Sequence, residues 1–132
     1  MYEYYVKEVV KVVDGDTIDV IIDLGFDVLH QCRVRLAGID TPESRTRNLE
    51  EKKLGLEAKA YLKKALESSD SVVIKTEKSN SKGKFGRILG WIYLDGAFNS
   101  VNHTMVDEGY AWGYDGGSKT KDLTELLAKR RG

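Results

Sequence analysis

Residues 16–23 alternate with a strict period of two: Asp16, Ile18, Val20 and Ile22 fall on one face, and Thr17, Asp19, Ile21 and Asp23 on the other. Such a segment folds as a strand with one face committed to a core, and here a carboxylate, Asp16, stands at the head of that face. Turn signals bracket it, Asp14-Gly15-Asp16 before and Asp23-Leu24-Gly25 after, and the flanking segments are rich in Val and Ile. The pattern predicts an antiparallel meander with strands near 4–13, 16–23 and 28–37. In the third, Cys32, Val34 and Leu36 share a face and Arg33 and Arg35 the opposite one.

The only proline, Pro42, lies in 38–53, a stretch without apolar period that reads as a long loop, the kind of segment that carries function in small domains. From 54 to 68, Ala58, Tyr61, Leu62 and Ala65 follow helical spacing. Strand character returns at 71–77, breaks at Ser79-Asn80-Ser81-Lys82-Gly83 and resumes over 85–94, before the Asp95-Gly96 turn. Asn99 and Ser100 can cap a short helix to Glu108 that Gly109 stops, and 121–131 reads as a last helix whose basic end, Lys129-Arg130-Arg131, is a solvated terminus. Five strands with a helix after the third give an α+β fold: a five-stranded OB-fold barrel with three helices. A chain of 132 residues buries roughly two-thirds of its unfolded surface, so one domain over 1–132 is expected.

Composition removes several classes of function. The lone Cys32 excludes a disulfide framework and a Cys-based zinc cage, and reads as a small buried hydrophobe. Lys plus Arg and Asp plus Glu are both 21, so the chain is not a tail-driven cationic nucleic-acid binder, and any phosphate binding must be local. No apolar run approaches the roughly 20 residues that cross a bilayer, and Met1-Tyr2-Glu3-Tyr4 is no signal peptide; the chain as given reads as soluble, monomeric and cytoplasmic, with no membrane partner.

Asp16 needs a positive partner, because an unpaired carboxylate at the mouth of an apolar face is costly. Asp14 and Asp40 are candidate co-ligands, and carboxylates without thiolates suit a hard cation such as Ca²⁺. An EF-hand is excluded, since Ile18 stands at the next ligand position. The Asp14-Gly15-Asp16 tripeptide alone also reads as a hairpin turn with an Asx hydrogen bond. Two further segments carry charge at strand ends: Asp40-Thr41-Pro42-Glu43, which alone is another turn, and Lys84-Phe85-Gly86-Arg87, whose Arg alone is an ordinary solvated residue. Together, acids and two guanidinium forks at strand ends are the parts for phosphodiester hydrolysis.

In order and spacing, Val13-Asp14-Gly15-Asp16-Thr17, Arg33-Val34-Arg35-Leu36-Ala37-Gly38-Ile39-Asp40-Thr41-Pro42-Glu43, Gly55-Leu56-Glu57-Ala58 and Gly83-Lys84-Phe85-Gly86-Arg87 resemble the staphylococcal (thermonuclease-like) nuclease family over about residues 8–114. The resemblance implies a calcium-dependent nuclease acting on DNA and RNA with 3′-phosphate products; because backbone phosphates and an aromatic face are the only recognition elements found, little sequence preference and cutting of single-stranded DNA, RNA and locally melted duplex are expected. It implies Asp16, Asp40 and the Thr41 carbonyl as calcium ligands, and Glu43 as general base or water-positioner. Arg35 and Arg87 become phosphate clamps, Lys84 a contact to the far phosphate, and Phe85 and Tyr114 substrate contacts. Phe85 departs from the founding member's Tyr, which removes a phosphate-contacting hydroxyl. Tyr110-Ala111-Trp112-Gly113-Tyr114 matches the stacking region loosely, and Trp112 serves equally as core. The competing reading is an inactive module of the same fold that binds single-stranded nucleic acid or a protein; the presence of Asp16, Arg35, Asp40, Glu43 and Arg87 favours the enzyme. His30 and His103 take no part, and Asn102-His103 is not an HNH signature.

Overall fold

The computed structural model describes residues 2–77, 88–114 and 122–131. Strands β1 (Tyr2–Asp14), β2 (Thr17–Asp23) and β3 (Leu29–Leu36) form the expected meander. A two-residue strand β4 (Ile39–Asp40) precedes helix α1 (Leu49–Glu67); β5 (Val72–Thr76) and β6 (Ile88–Leu94) follow, then α2 (Val101–Asp107), a two-residue β7 (Trp112–Gly113) and α3 (Leu123–Arg131). The five long strands close into a barrel in the order β1-β2-β3-β6-β5, with β3 and β6 parallel and the other pairs antiparallel. This is the OB-type α+β architecture.

Closure depends on β1. Its register against β2 shifts at three places along 13 residues, and such bulges bend a strand enough for it to serve two neighbours. Tyr5 accordingly pairs with both Asp23 of β2 and Val73 of β5. The core inside is built from the alternating residues: Ile18, Val20, Val34, Leu36, Ile74 and Ile92 are buried, with Leu62 from α1 and Met105 from α2. Cys32 packs against this cluster half-buried, and desolvation, with the nearby Asp19 charge second, pushes its thiol above the usual range, which fits a packing role.

Three expectations are corrected. Helix α1 starts at Leu49, five residues earlier than the apolar period indicates, because Asn48 caps it by accepting from the Glu51 amide at 3.1 Å and Glu50 and Glu51 complement the first turn. The 38–53 stretch is thus a shorter loop, interrupted by β4, which pairs with the distant β7. Arg130 is no solvated terminus: its Nη1 lies 2.6 Å from Glu57 Oε1, its Nε donates to Gly109 O at 2.9 Å, and its guanidinium sits 4.3 Å over the Tyr110 ring, pinning α3 to α1. The Ser100 cap on α2 and the left-handed stop at Gly109 (φ +79°) stand as expected.

Candidate active site

The open end of the barrel nearest the β1–β2 turn gathers three charges and a hydroxyl from four places in the chain. Asp16 precedes β2, Arg35 ends β3, Asp40 lies in β4, and Thr41 opens the loop beyond it. Strand pairing sets Arg35 opposite Thr17, beside Asp16. The Leu36 amide donates to Asp16 O at 2.8 Å, fixing the turn against the strand end. Arg35 is only 9% exposed and Asp40 5%. The Arg35 Nη2 stands 3.5 Å from Asp16 Oδ2 and 3.6 Å from Asp40 Oδ1, and Nη1 donates to Leu36 O at 2.8 Å. Asp16 Oδ2 also accepts from the Thr41 hydroxyl at 3.0 Å. The positive group that Asp16 requires is therefore Arg35, which it shares with Asp40.

Two glycines let the supporting elements approach this closely. A Cβ on Gly15 would lie 2.9 Å from Ala58 Cβ and 3.1 Å from Thr41 Cγ2, so the turn bearing Asp14 and Asp16 rests directly on α1. A Cβ on Gly55 would lie 2.6 Å from Pro42 O and 2.7 Å from Glu43 O. The Gly55-to-Ala58 stretch of α1 is thus the floor under the 41–44 loop, a physical reason for that sequence at that place.

Glu43 is exposed on the loop, and its amide donates to Glu51 Oε2 at 3.1 Å, which ties the loop to the first turn of α1. Asp14 is engaged by Ser44, whose hydroxyl donates to Asp14 Oδ1 at 2.7 Å. Among the described residues no group of three or more His, Cys, Asp or Glu could hold a metal, so Asp14 does not complete a three-acid cluster. Donor chemistry nevertheless fits a hard divalent cation. The buried Asp40 and the part-buried Asp16 share one guanidinium and leave a net negative charge, and a divalent ion would invert it to a positive charge facing a phosphodiester. Lys84, Phe85 and Arg87 lie outside the described residues. Tyr114 is half-buried, its amide donating to Gly38 O at 2.8 Å beside β4. Trp112 is buried with its indole N–H donating to Asp122 O at 3.0 Å, which settles it as core. The Ser44 latch and the Gly55 floor were not read from the residues alone; the signal for the second was a glycine inside a helical period.

The staphylococcal nuclease homologue family matches residues 33–131, three-quarters of the chain. The chain belongs to that family. Protein ParB of Escherichia coli is 32% identical over 134 residues, covering 95% of this chain and 67% of that protein. The SPbeta prophage-derived endonuclease YokF of Bacillus subtilis is 36% identical, covering 76% of this chain and 31% of that protein, and endonuclease YncB of the same organism is 34% identical, covering 76% and 44%. The chain thus spans from about a third to two-thirds of the length of these relatives. Family and relatives together support a nuclease-like function. Among the described residues no helix is long and apolar enough to cross a membrane.

Proposed function

We propose that this chain, as one monomeric nuclease domain over 1–132, is a calcium-dependent phosphodiesterase. It hydrolyses single-stranded DNA, RNA and locally melted duplex DNA with little sequence preference and leaves 3′-phosphate products. The observation that carries this reading is the Arg35 guanidinium held between Asp16 and Asp40 at a barrel end floored by α1. Calcium would be held by Asp16, Asp40 and the Thr41 carbonyl, and would supply Lewis-acid polarisation of the phosphate. Arg35 is preorganised by Leu36 O and the two acids, so its fork is already oriented when charge develops on the phosphoryl oxygens, and Arg87 is assigned the same task from the other side. Glu43, on the solvent side of the loop, orients the attacking water and takes its proton as the water oxygen bonds to phosphorus and the bond to the 5′ oxygen breaks, the departing 5′ oxygen taking a proton from solvent. Lys84 contacts a neighbouring phosphate, and the aromatic faces of Phe85 and Tyr114 stack on bases, which tolerates every base.

Digestion of single-stranded DNA, followed on a gel with calcium and with EGTA, tests the reading. Cleavage with calcium that stops in chelator is expected. Undiminished cleavage in EGTA would remove the calcium dependence, and no cleavage under either condition would leave the binding-module reading in its place.

A further inference from the structure

The outer face of β1–β2–β3 carries a second charged row, one same-face step from the Arg35 row. In register, Asp14, Thr17 and Arg35 form the first row across the three strands, and Lys11, Asp19 and Arg33 the second. Same-face neighbours along a strand are about 6.7 Å apart, close to the step between successive phosphates of an extended nucleic-acid strand. Arg33 donates through Nε to Asp19 Oδ1 at 2.7 Å and through Nη2 to Oδ2 at 3.0 Å. Its side chain is still 49% exposed, and among the described residues nothing accepts a hydrogen bond from Nη1. The hydrogen bonds from Arg33 hold the Asp19 carboxyl below its ordinary range, so the pair is ionised throughout the neutral region. Lys11 adds a second cation beside Asp19, leaving the row with one net positive charge. Asp14, in the first row, also acts on Arg33 through its charge, and its carboxyl is oriented by the Ser44 hydroxyl.

We propose that Arg33, held by Asp19 and seconded by Lys11, binds the backbone phosphate next to the one at Arg35, so that a single strand runs along β3. An exposed ion pair adds little to stability, whereas a guanidinium whose plane is fixed by a bidentate carboxylate keeps outward donors at small entropic cost. The inference rests on the nucleic-acid reading above and lengthens its binding track beyond the residues that reading uses.

Arg33→Ala, Arg33→Lys and Asp19→Asn, assayed on a fluorescein-labelled oligothymidylate and on a dinucleoside monophosphate, test it. Arg33→Ala should raise KM for the oligonucleotide about fivefold, the scale of one charged hydrogen bond at a wet surface. It should also lower the salt slope of oligonucleotide binding by about 0.7, one phosphate contact on a single strand. The loss should fade as the strand is shortened to one phosphate, and Arg33→Lys should restore most of the slope. Asp19→Asn releases the fork but keeps its charge, so it should retain the salt slope and raise KM for the oligonucleotide less than Arg33→Ala does. A merely structural ion pair would lower the stability of both partners' variants and leave the salt slope untouched; an unchanged slope in Arg33→Ala would overturn the proposal. Anisotropy measured in chelator separates the two claims. An Arg33-dependent slope in chelator with no cleavage once calcium is added would sink the nuclease and keep the track, whereas cleavage in calcium with an Arg33-independent slope would sink the track alone.

Discussion

Asp40 and Glu43 are three residues apart and sit in opposite environments, one 5% exposed against Arg35 and the other in solvent. Replacing Asp40 would disturb a buried charge group, whereas Glu43→Gln should leave the fold within about 0.5 kcal/mol of wild type, as for a surface substitution. If Glu43 serves the attacking water, the same change should lower kcat by about 10² to 10⁴. Single-turnover kinetics with a calorimetric calcium titration on one preparation checks both halves, and an unchanged rate would make Glu43 a bystander. Asp16 was legible as a charge out of place at the head of an apolar face. Its partner was not, since nothing local says that Arg35, nineteen positions on, ends its strand beside it.

At the level of elements, α1 is both core and floor. Gly55→Ala improves intrinsic helix propensity by about 1 kcal/mol. Here the added Cβ would press on Pro42 O and on the Glu43 carbonyl, backbone atoms that no rotamer change can move aside. Crowding of this kind costs about 1–3 kcal/mol, so the steric effect wins. The urea midpoint should fall and kcat with it, as the loop shifts; a raised midpoint would show that the loop yields freely. Further along the helix, Tyr61 stacks on Tyr110 with ring centroids 4.4 Å apart. Burial first, and Glu108 second, push its phenol from the ordinary 10.0 to about 12. A raised folded value favours the neutral phenol in the folded state, so this contribution is complete below pH 10 and lost as pH rises from 10 through 12. Tyr61→Phe should flatten the wild-type decline in that window, measured as denaturant stability against pH; parallel curves would refute it. The helix start was hidden from periodicity because 49–53 buries almost nothing and is held by its cap.

For the whole molecule, the parallel β3–β6 seam decides where the site ends up, and Asn102 locks it. From α2 its amide donates to Ala37 O at 2.8 Å and Gly90 O at 3.1 Å, and its Oδ1 accepts from the Ile92 amide at 3.0 Å. Asn102→Ala would leave the Ile92 amide and Ala37 O unmet, Gly90 O keeping its bond from the Ala37 amide at 2.8 Å; the loss should be about 2 kcal/mol or more, read as a lowered midpoint in equilibrium denaturation with the slope unchanged. A loss within 0.5 kcal/mol, the range of an ordinary surface change, would mean that water replaces the side chain. The sequence assigned Asn102 no role, since a polar residue in a short helix carries no pattern that marks it as buried.

Strand faces, turns and the bounds of α2 were written in the sequence, because side-chain period and turn chemistry depend on neighbours within a few positions. Thus Ile18, Val20, Ile22, Val34 and Leu36 point inward as their alternation requires, Ser100 and Gly109 bound α2, and the spaced acids and arginines mark the family. Only the tertiary structure decided which charges meet. Asp16, Arg35 and Asp40 come from separate elements, β4 exists through pairing with residues more than seventy positions away, and Arg130 returns to Glu57. Those contacts are set by barrel closure and by the packing of α1 and α3. Such packing energies depend on the whole chain and leave no trace in any short stretch of it.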